Sequence, residues 1–420
     1  NESNIISGVV VNDIENGWYR ISIAVNTTTS DVRFYVSDSG AADSYDNGSI
    51  LIQSAQLETG LVATDYLNST SVTGKAGVLV DMPRINYDAN GENGALLLEP
   101  SRKNVVTNTE YVSSNDYVVG NWTGTITTNT TETLSPEGVY NATKFVKAGA
   151  SDRVYFHNSQ PDGAYTGSIY LKAASGSENK TIEISIRRFG GGGGSTSKLV
   201  TITNEWQRFD VSASNLTGGT TTAMYISDFS SAGTATDFYS YAMQIEAGSY
   251  VSSYIPNHGT SGGVTRAADS CSVTGASDVI GQTEGVVYWE GIINGFALTN
   301  CNLFGAQKSS TTSKIDFGLT DSILYAQCYN GTTSLFFETI TFDFNTTIKL
   351  AFAYKAGDYA LFKNGTLVAA GTNATAIPAC DRVAFHDLWG AVSSGSESAS
   401  QATLFKERLS NAELATLTTL

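Results

Sequence analysis

Two stretches of this chain carry the same residues in the same order, 188 positions apart. GWYRISI from Gly17 matches EWQRFDV from Glu205, so Trp18 aligns with Trp206 (206 minus 18 gives the offset) and Arg20 with Arg208. The same offset relates Gln56 to Gln244, Glu58 to Glu246, Gly60 to Gly248 and Tyr66 to Tyr254, in AQLETGLVATDY and AMQIEAGSYVSSY. One template is used twice. In both copies side-chain character alternates with period two, in WYRISIAV, WQRFDVSA, SILIQSAQLE and DFYSYAMQIE, between clusters of Gly, Asn, Asp and Ser. Such alternation gives strands with one buried and one wet face, which antiparallel sheets satisfy by packing in layers.

The copies are unequal. Trp18 lies near the start of the sequence, whereas Trp206 follows about a hundred residues of its own copy, from NVVTNTEY through GNWTGTITTN, GAYTGSIYLKAA and KTIEISIRRF. The second copy, residues 104–266, is therefore expected to be a whole sandwich. Residues 1–70 are expected to be the closing half of one, with the front half supplied upstream or by another chain. Residues 71–103 read as a connector, with a short hairpin where Asn90-Gly91 precedes GALLLE. The run in RRFGGGGGSTSKL joins two strand patterns, and no Gly-Lys-Ser/Thr follows it, so a hairpin tip is expected and not a phosphate loop. From residue 270 to 420 the pattern becomes short strands, including a hairpin at Asn364-Gly365. The one good helix is LSNAELATLTT, where Ser410 and Glu413 have the spacing of a capping box. A second sandwich ending in a short helix follows.

Charge and cysteine usage exclude several function classes. The 420 residues carry a net charge of −16 with only 15% charged residues, and no basic stripe exists to neutralise phosphates, which argues against nucleic acid and against anionic membrane surfaces. No apolar run approaches the roughly 20 residues of a membrane span. The beginning, NESNIISGVV, has neither an initiator Met nor a signal-peptide pattern, so a fragment or processed product is expected. Cys271, Cys301, Cys328 and Cys380 share no CxxC spacing and read as small apolar side chains outside any disulfide framework. The N-x-S/T sequons, such as Asn47, Asn68, Asn141, Asn215 and Asn364, are what chance supplies in a chain this rich in Asn, Ser and Thr.

Together GWYR/EWQR, AQLETG…TDY, MQIEAGSYVSSYIP…VTRAAD and GALLLEPSRKNVVTNTEY resemble the carbohydrate-binding-module-like jelly rolls of bacteriophage virion proteins. YKAGDYALFKNGTLVA and FKERLSNAELATLTTL are similar to the laminin-G, concanavalin A-like sandwich that often follows them. The resemblance covers nearly the whole chain. It implies an all-β fold of tandem antiparallel jelly rolls plus a concanavalin A-like sandwich, in a tail fibre, spike or head fibre at the virion surface. It further implies a homo-oligomer, commonly a trimer, that contacts other virion proteins and host-surface glycans. A purely architectural virion or capsid component is the alternative, and a secreted bacterial adhesin or the binding part of a polysaccharide-degrading enzyme is another.

Sugar recognition needs exposed aromatic faces beside hydrogen-bonding side chains. The candidate set is Trp122, Tyr155, Tyr165, Tyr170, Tyr225, Tyr239 and Tyr241, with burial in the core or at a subunit interface as the competing role. The repeated Trp18, Trp206 and Gln-x-Glu residues read as framework, since a Glu at a strand end can satisfy backbone donors of a turn. Jelly rolls of the resembled kind often hold a structural calcium ion, for which Glu110 and Asp237 are the candidates. Catalysis is not expected. Glu284 and Glu290 are six apart on one strand, about 20 Å, beyond the roughly 5–10 Å that glycoside hydrolysis requires. His157, His258 and His386 lack metal-ligand spacing, and GxSxG is absent.

Overall fold

A computed structural model describes residues 10–23, 25, 51–57, 63, 83–87, 90–110, 117–118, 122–149, 151–190, 193–227, 233–296, 301–320, 323–388, 391–392 and 395–420. Within 104–266 the alternating stretches build two five-stranded antiparallel sheets. In spatial order the first contains Gln207–Leu216, Gly163–Ala173, Asp237–Ala247, Thr143–Val146 and Thr125–Thr127. The second contains Ser195–Thr201, Thr181–Phe189, Thr221–Ile226, Val154–Ser159 and Tyr117–Val118. Ile169, Leu171, Phe238, Met243 and Ile245 of the first sheet meet Phe156, Ile184, Ile186 and Met224 of the second in one buried cluster. Phe145 and Phe238 stack at its centre, 5.1 Å apart, and burying each such ring contributes roughly 2–3 kcal/mol.

A bulge resets the parity of the closing strand. Register slips between Ser168 and Tyr170 against Asp237–Ala247, and Ala242 there adopts φ +55°. Phe238, Met243 and Ile245 thereby all face inward, while Tyr239, Tyr241, Gln244 and Glu246 face outward.

The jelly roll interrupts the second sandwich. Its two ends leave together, Arg102–Asn104 pairing antiparallel with Val264–Arg266. The hairpin expected around Asn90-Gly91 forms, with Ile85–Asn86 against Ala95–Leu98. It is more than a connector, because Ala95–Leu98 also pairs with Gly395–Phe405 some 300 residues later. The sheet so completed has seven strands, Thr366–Gly371, Tyr359–Lys363, Thr347–Lys355, Glu284–Phe296, Gly395–Phe405, Ala95–Leu98 and Ile85–Asn86. It packs on a six-stranded sheet of Cys271–Thr274, Arg382–Phe385, Cys301–Gln307, Lys314–Thr320, Ile323–Tyr329 and Ser334–Ile340. Trp289, Phe317, Leu350, Phe352 and Leu361 fill the space between.

The helix Asn411–Leu417 covers the other face of the seven-stranded sheet, setting Leu414 on Val286, Tyr288, Ala351 and Phe362. Ser410 and Glu413 cap it reciprocally. Asn364 and Gly365 both take positive φ, +48° and +81°, as the expected tight hairpin requires. Cys301, Cys328 and Cys380 are buried and Cys271 is exposed, and no disulfide joins any of the four.

A charged cluster ties the two sandwiches together. Glu99 accepts from Arg84, Arg266 and the backbone of Ser253, and Arg84 also pairs with Asp269. Burial opposes the charge on Glu99, but Arg266, Ser253 and Arg84 hold its carboxyl below the usual range. Beside them, the Tyr250 ring lies against Gly295, where a Cβ would come within 2.4 Å of it.

Of the first copy, the described residues form a hairpin, Val10–Asp13 with Tyr19–Ser22. The strand expected over SILIQSAQLE is absent from its described part, since residues 51–57 take no strand structure. In the complete copy the equivalent strand, Asp237–Ala247, is held between Gly163–Ala173 and Thr143–Val146, and strand geometry needs such hydrogen-bonded neighbours. Glu58, Gly60 and Tyr66 lie outside the described residues.

Candidate functional site

On the second jelly-roll sheet, Ile184, Ile186, Phe156 and Met224 face the core, so the residues alternating with them stand on its outer face. Strand register arranges these in rows. Ser185, Tyr225 and Tyr155 lie side by side across three strands; then come Arg187, Ala223 and His157; then Phe189, Thr221 and Ser159. Tyr155 and Tyr225 stack at 4.3 Å with an interplanar angle of 25°. Phe189 lies 6.1 Å from Tyr155 and 6.0 Å from Tyr225, and His157 lies 5.8 Å from Tyr155. The Arg187 guanidinium sits 5.5 Å from the Tyr225 ring centre and donates to Ser185 Oγ at 3.2 Å. Tyr225 is the buried floor, Tyr155 and Arg187 are half-buried, and His157 and Phe189 are exposed. Ala223, between Arg187 and His157, keeps the middle row low. The face thus offers apolar ring surface flanked by guanidinium, imidazole and hydroxyl groups.

Two of the seven candidate aromatics, Tyr155 and Tyr225, belong to this face. The others do not. Trp122 turns into the core, edge-on to Phe145 at 5.1 Å and Phe238 at 6.4 Å. Tyr165 shares the parity of Ile169 and Leu171, is buried, and donates its hydroxyl to Pro161 O at 2.9 Å. Tyr170, Tyr239 and Tyr241 face outward from the other sheet, but segments 130–141 and 249–258 lie over that surface. Tyr239 is buried beside Glu132 and donates to it at 3.0 Å, and its hydroxyl is pushed up to about 12 by burial first and Glu132 second. Tyr241 is buried between Trp206, Tyr170 and Tyr254. Half-buried Tyr170 carries the Arg208 guanidinium 5.7 Å from its ring centre.

The Gln-x-Glu motif of the complete copy is framework. Buried Glu246 accepts from Ser252 N at 2.8 Å, Ser252 Oγ at 2.6 Å and Gln244 Nε2 at 2.8 Å, with Arg102 Nε at 3.5 Å. Gln244 Oε1 accepts from Ile255 N at 2.8 Å. The loop that roofs the sheet hangs from these two side chains. Trp206 Nε1 likewise ties down Leu134 O at 2.7 Å.

Glu110 and Asp237 do not share a site. Asp237 begins the closing strand opposite Val146. Glu110 lies with Tyr254, which donates to it at 3.0 Å, near the residues that follow that strand's other end. Asn141 donates to Glu110 at 3.4 Å and to Glu137 at 3.2 Å. Burial first, then the Glu137 charge, push the Glu110 carboxyl up to about 7, a state suited to a shared proton more than to an ion. Among the described residues no group of three or more His, Cys, Asp or Glu side chains could hold a metal, so the expected calcium pair does not form a ligand set. Glu284 and Glu290 are each held by a lysine across the strand, Lys355 at 2.9 Å and Lys349 at 3.4 Å.

His157, Arg187 and Phe189 were not anticipated from sequence. The signal was present as parity, since TIEISIRRF sends Ile182, Ile184 and Ile186 into the core and the same alternation turns Arg187 and Phe189 to the outer face.

No family model matches the sequence, and no curated protein matches it. Similar solved structures include the Ruminococcus gnavus IT-sialidase CBM40, 16% identical, covering 34% of this chain and 88% of that one with a TM-score of 0.29. Another is a botulinum neurotoxin type C structure whose cell entry is described as dependent on two ganglioside molecules, 12% identical over 35% of this chain and 39% of that one, TM-score 0.30. A Trypanosoma rangeli sialidase is 11% identical over 32% of this chain and 22% of that one, TM-score 0.27. Among the described residues no helix is long and apolar enough to cross a membrane.

Proposed function

We propose that this protein is a non-catalytic surface component of a phage particle that adheres to host glycans through the Tyr155–Arg187–Phe189 face of its jelly roll. The observation that carries the reading is the row arrangement itself. Three aromatic rings, a guanidinium and an imidazole stand on one outer sheet face, with Phe189 and the imidazole exposed and Tyr155 half-buried over the Tyr225 floor. Sugar rings present C–H faces that stack on Tyr155 and Phe189, while Arg187, His157 and Ser159 supply hydrogen bonds to hydroxyl or carboxylate groups. The phage setting rests on the sequence motifs GWYR/EWQR and GALLLEPSRKN. Single contacts of this kind are weak, and a trimer presenting three copies would strengthen them by about a hundredfold or more through linkage.

The test is binding of the whole chain to an array of bacterial surface polysaccharides, repeated with Phe189→Ala and Tyr155→Ala. Binding that falls at least about tenfold in both variants, with unchanged circular dichroism, supports the reading. Absence of binding to any polysaccharide by the folded chain leaves the architectural role.

A further inference from the structure

Strand register sets Ala223 at the centre of a three-by-three grid on the outer jelly-roll face, with Arg187 on one side of it and His157 on the other. Strands about 4.8 Å apart place the Cα atoms of those two residues about 10 Å from each other. Ala223 is fully covered, so the longer side chains around it close over its methyl group. Among the eight residues that surround it, Arg187 and His157 carry the basic groups and none is a carboxylate. A chain with 40 Asp and Glu against 24 Lys and Arg has left this patch without an acid. The next carboxylate on the outward side of Thr181–Phe189 is Glu183, which is buried and four residues, about 13 Å, from Arg187. Asp162, beyond Ser159, is held by Arg188 at 2.7 Å. The Debye length at physiological salt is about 8 Å, so an anion beside Arg187 answers to the local basic pair more than to the net charge of −16. The guanidinium is also held in orientation. Its Nε donates to Ser185 Oγ at 3.2 Å, and it lies 5.5 Å from the centre of the Tyr225 ring. A guanidinium can meet a carboxylate with two parallel N–H···O bonds, a geometry a hydroxyl cannot match.

We infer that this face takes an acidic sugar, with the sugar carboxylate between Arg187 and His157 above Ala223 and the C–H face of the ring on the neighbouring aromatics. The inference rests on the glycan-binding reading and adds the chemical class of the ligand. Arg187 then sets specificity, while Tyr155 and Phe189 supply contact that acidic and neutral sugars share.

The test measures binding of the whole chain to polygalacturonate, alginate, hyaluronan and polysialic acid, each beside its carboxyl-reduced, neutral form. Dextran sulfate serves as an anion without carboxylates. At least one acidic polymer is expected to bind at least about tenfold more tightly than its reduced form and than dextran sulfate. Arg187→Gln is expected to abolish that preference, and Arg187→Lys, which keeps the charge and loses the fork, to restore only part of it. Phe189→Ala is expected to weaken the acidic and reduced forms alike, leaving their ratio unchanged. Equal binding of acidic and reduced forms, dextran sulfate binding as tightly as the carboxylate polymers, or a preference that survives Arg187→Gln overturns the inference and leaves the glycan face standing. Binding to none of these probes also overturns it, and the glycan-binding reading falls with it only if the folded chain binds no neutral polysaccharide either.

Discussion

Glu246→Ala is expected to cost the jelly roll about 4 kcal/mol. The carboxylate has no solvent exposure and accepts from Ser252 N at 2.8 Å, Ser252 Oγ at 2.6 Å and Gln244 Nε2 at 2.8 Å, with Arg102 Nε at 3.5 Å. Truncation strands a buried backbone N–H, which alone costs about 1–3 kcal/mol. It also leaves the Arg102 guanidinium without its buried counter-charge, and breaking such a pair costs roughly 3–5 kcal/mol. The two losses share one loop and do not add fully, hence the intermediate figure. Against a domain stability of about 5–15 kcal/mol this is a large fraction. Urea unfolding followed by tryptophan fluorescence, which Trp122 and Trp206 report from inside this module, measures it. Glu246→Gln keeps an acceptor for Ser252 N and is expected to lose about half as much. If Glu246→Ala lowered stability by less than about 1 kcal/mol yet abolished glycan binding, the repeated Gln-x-Glu would be a ligand site and the framework account would be refuted.

Three further outcomes follow from particular contacts. Glu110 has a folded pKa raised to about 7, so the stability associated with its protonated form is full below about pH 4.5 and is lost as pH rises through 7; Glu110→Gln should flatten the decline between pH 4.5 and 7 in a series of thermal melts. Gly295→Ala places a Cβ within 2.4 Å of the Tyr250 ring and should destabilise the contact between the sandwiches by about 1–3 kcal/mol, read as faster proteolysis at the stem formed by Arg102–Asn104 and Val264–Arg266. Ser410→Ala removes the side-chain half of the capping box on Asn411–Leu417, the hydroxyl that accepts from Glu413 N, while leaving the backbone N–H that donates to Glu413, and should lower the stability of the terminal sandwich by about 1 kcal/mol, measured by urea unfolding.

Local signals in the sequence carried the layers but not their partners. Period-two alternation in TIEISIRRF and DFYSYAMQIE predicted strands that the structure has, and Ser410 with Glu413 predicted the cap that holds the helix. The pairing of Leu96–Leu98 with Glu397–Ala399 was invisible, because alternation fixes which face a residue takes and says nothing of which distant strand lies beside it. That is why residues 71–103 read as a connector, although Ile85–Asn86 and Ala95–Leu98 within them complete a sheet of the terminal sandwich. Among the aromatics, Tyr165 was decidable, since its parity with Ile169 and Leu171 sends it inward. Tyr239 and Tyr241 were not. The bulge at Ala242 resets parity along their strand, and the loop roofing them is anchored by Gln244 and Glu246 through bonds to Ser252 and Ile255. Tyr155 and His157 share one strand and one face, but Arg187 joins them only through cross-strand register, which no single segment encodes.

The most direct measurement is an exchange footprint of the whole chain with and without the polysaccharide that gives the strongest signal on the array. Protection confined to Val154–Ser159, Thr181–Phe189 and Thr221–Ile226 is the predicted result. Protection that instead falls on the six-stranded sheet of the terminal sandwich, or on neither, would contradict a glycan face built from Tyr155, Arg187 and Phe189.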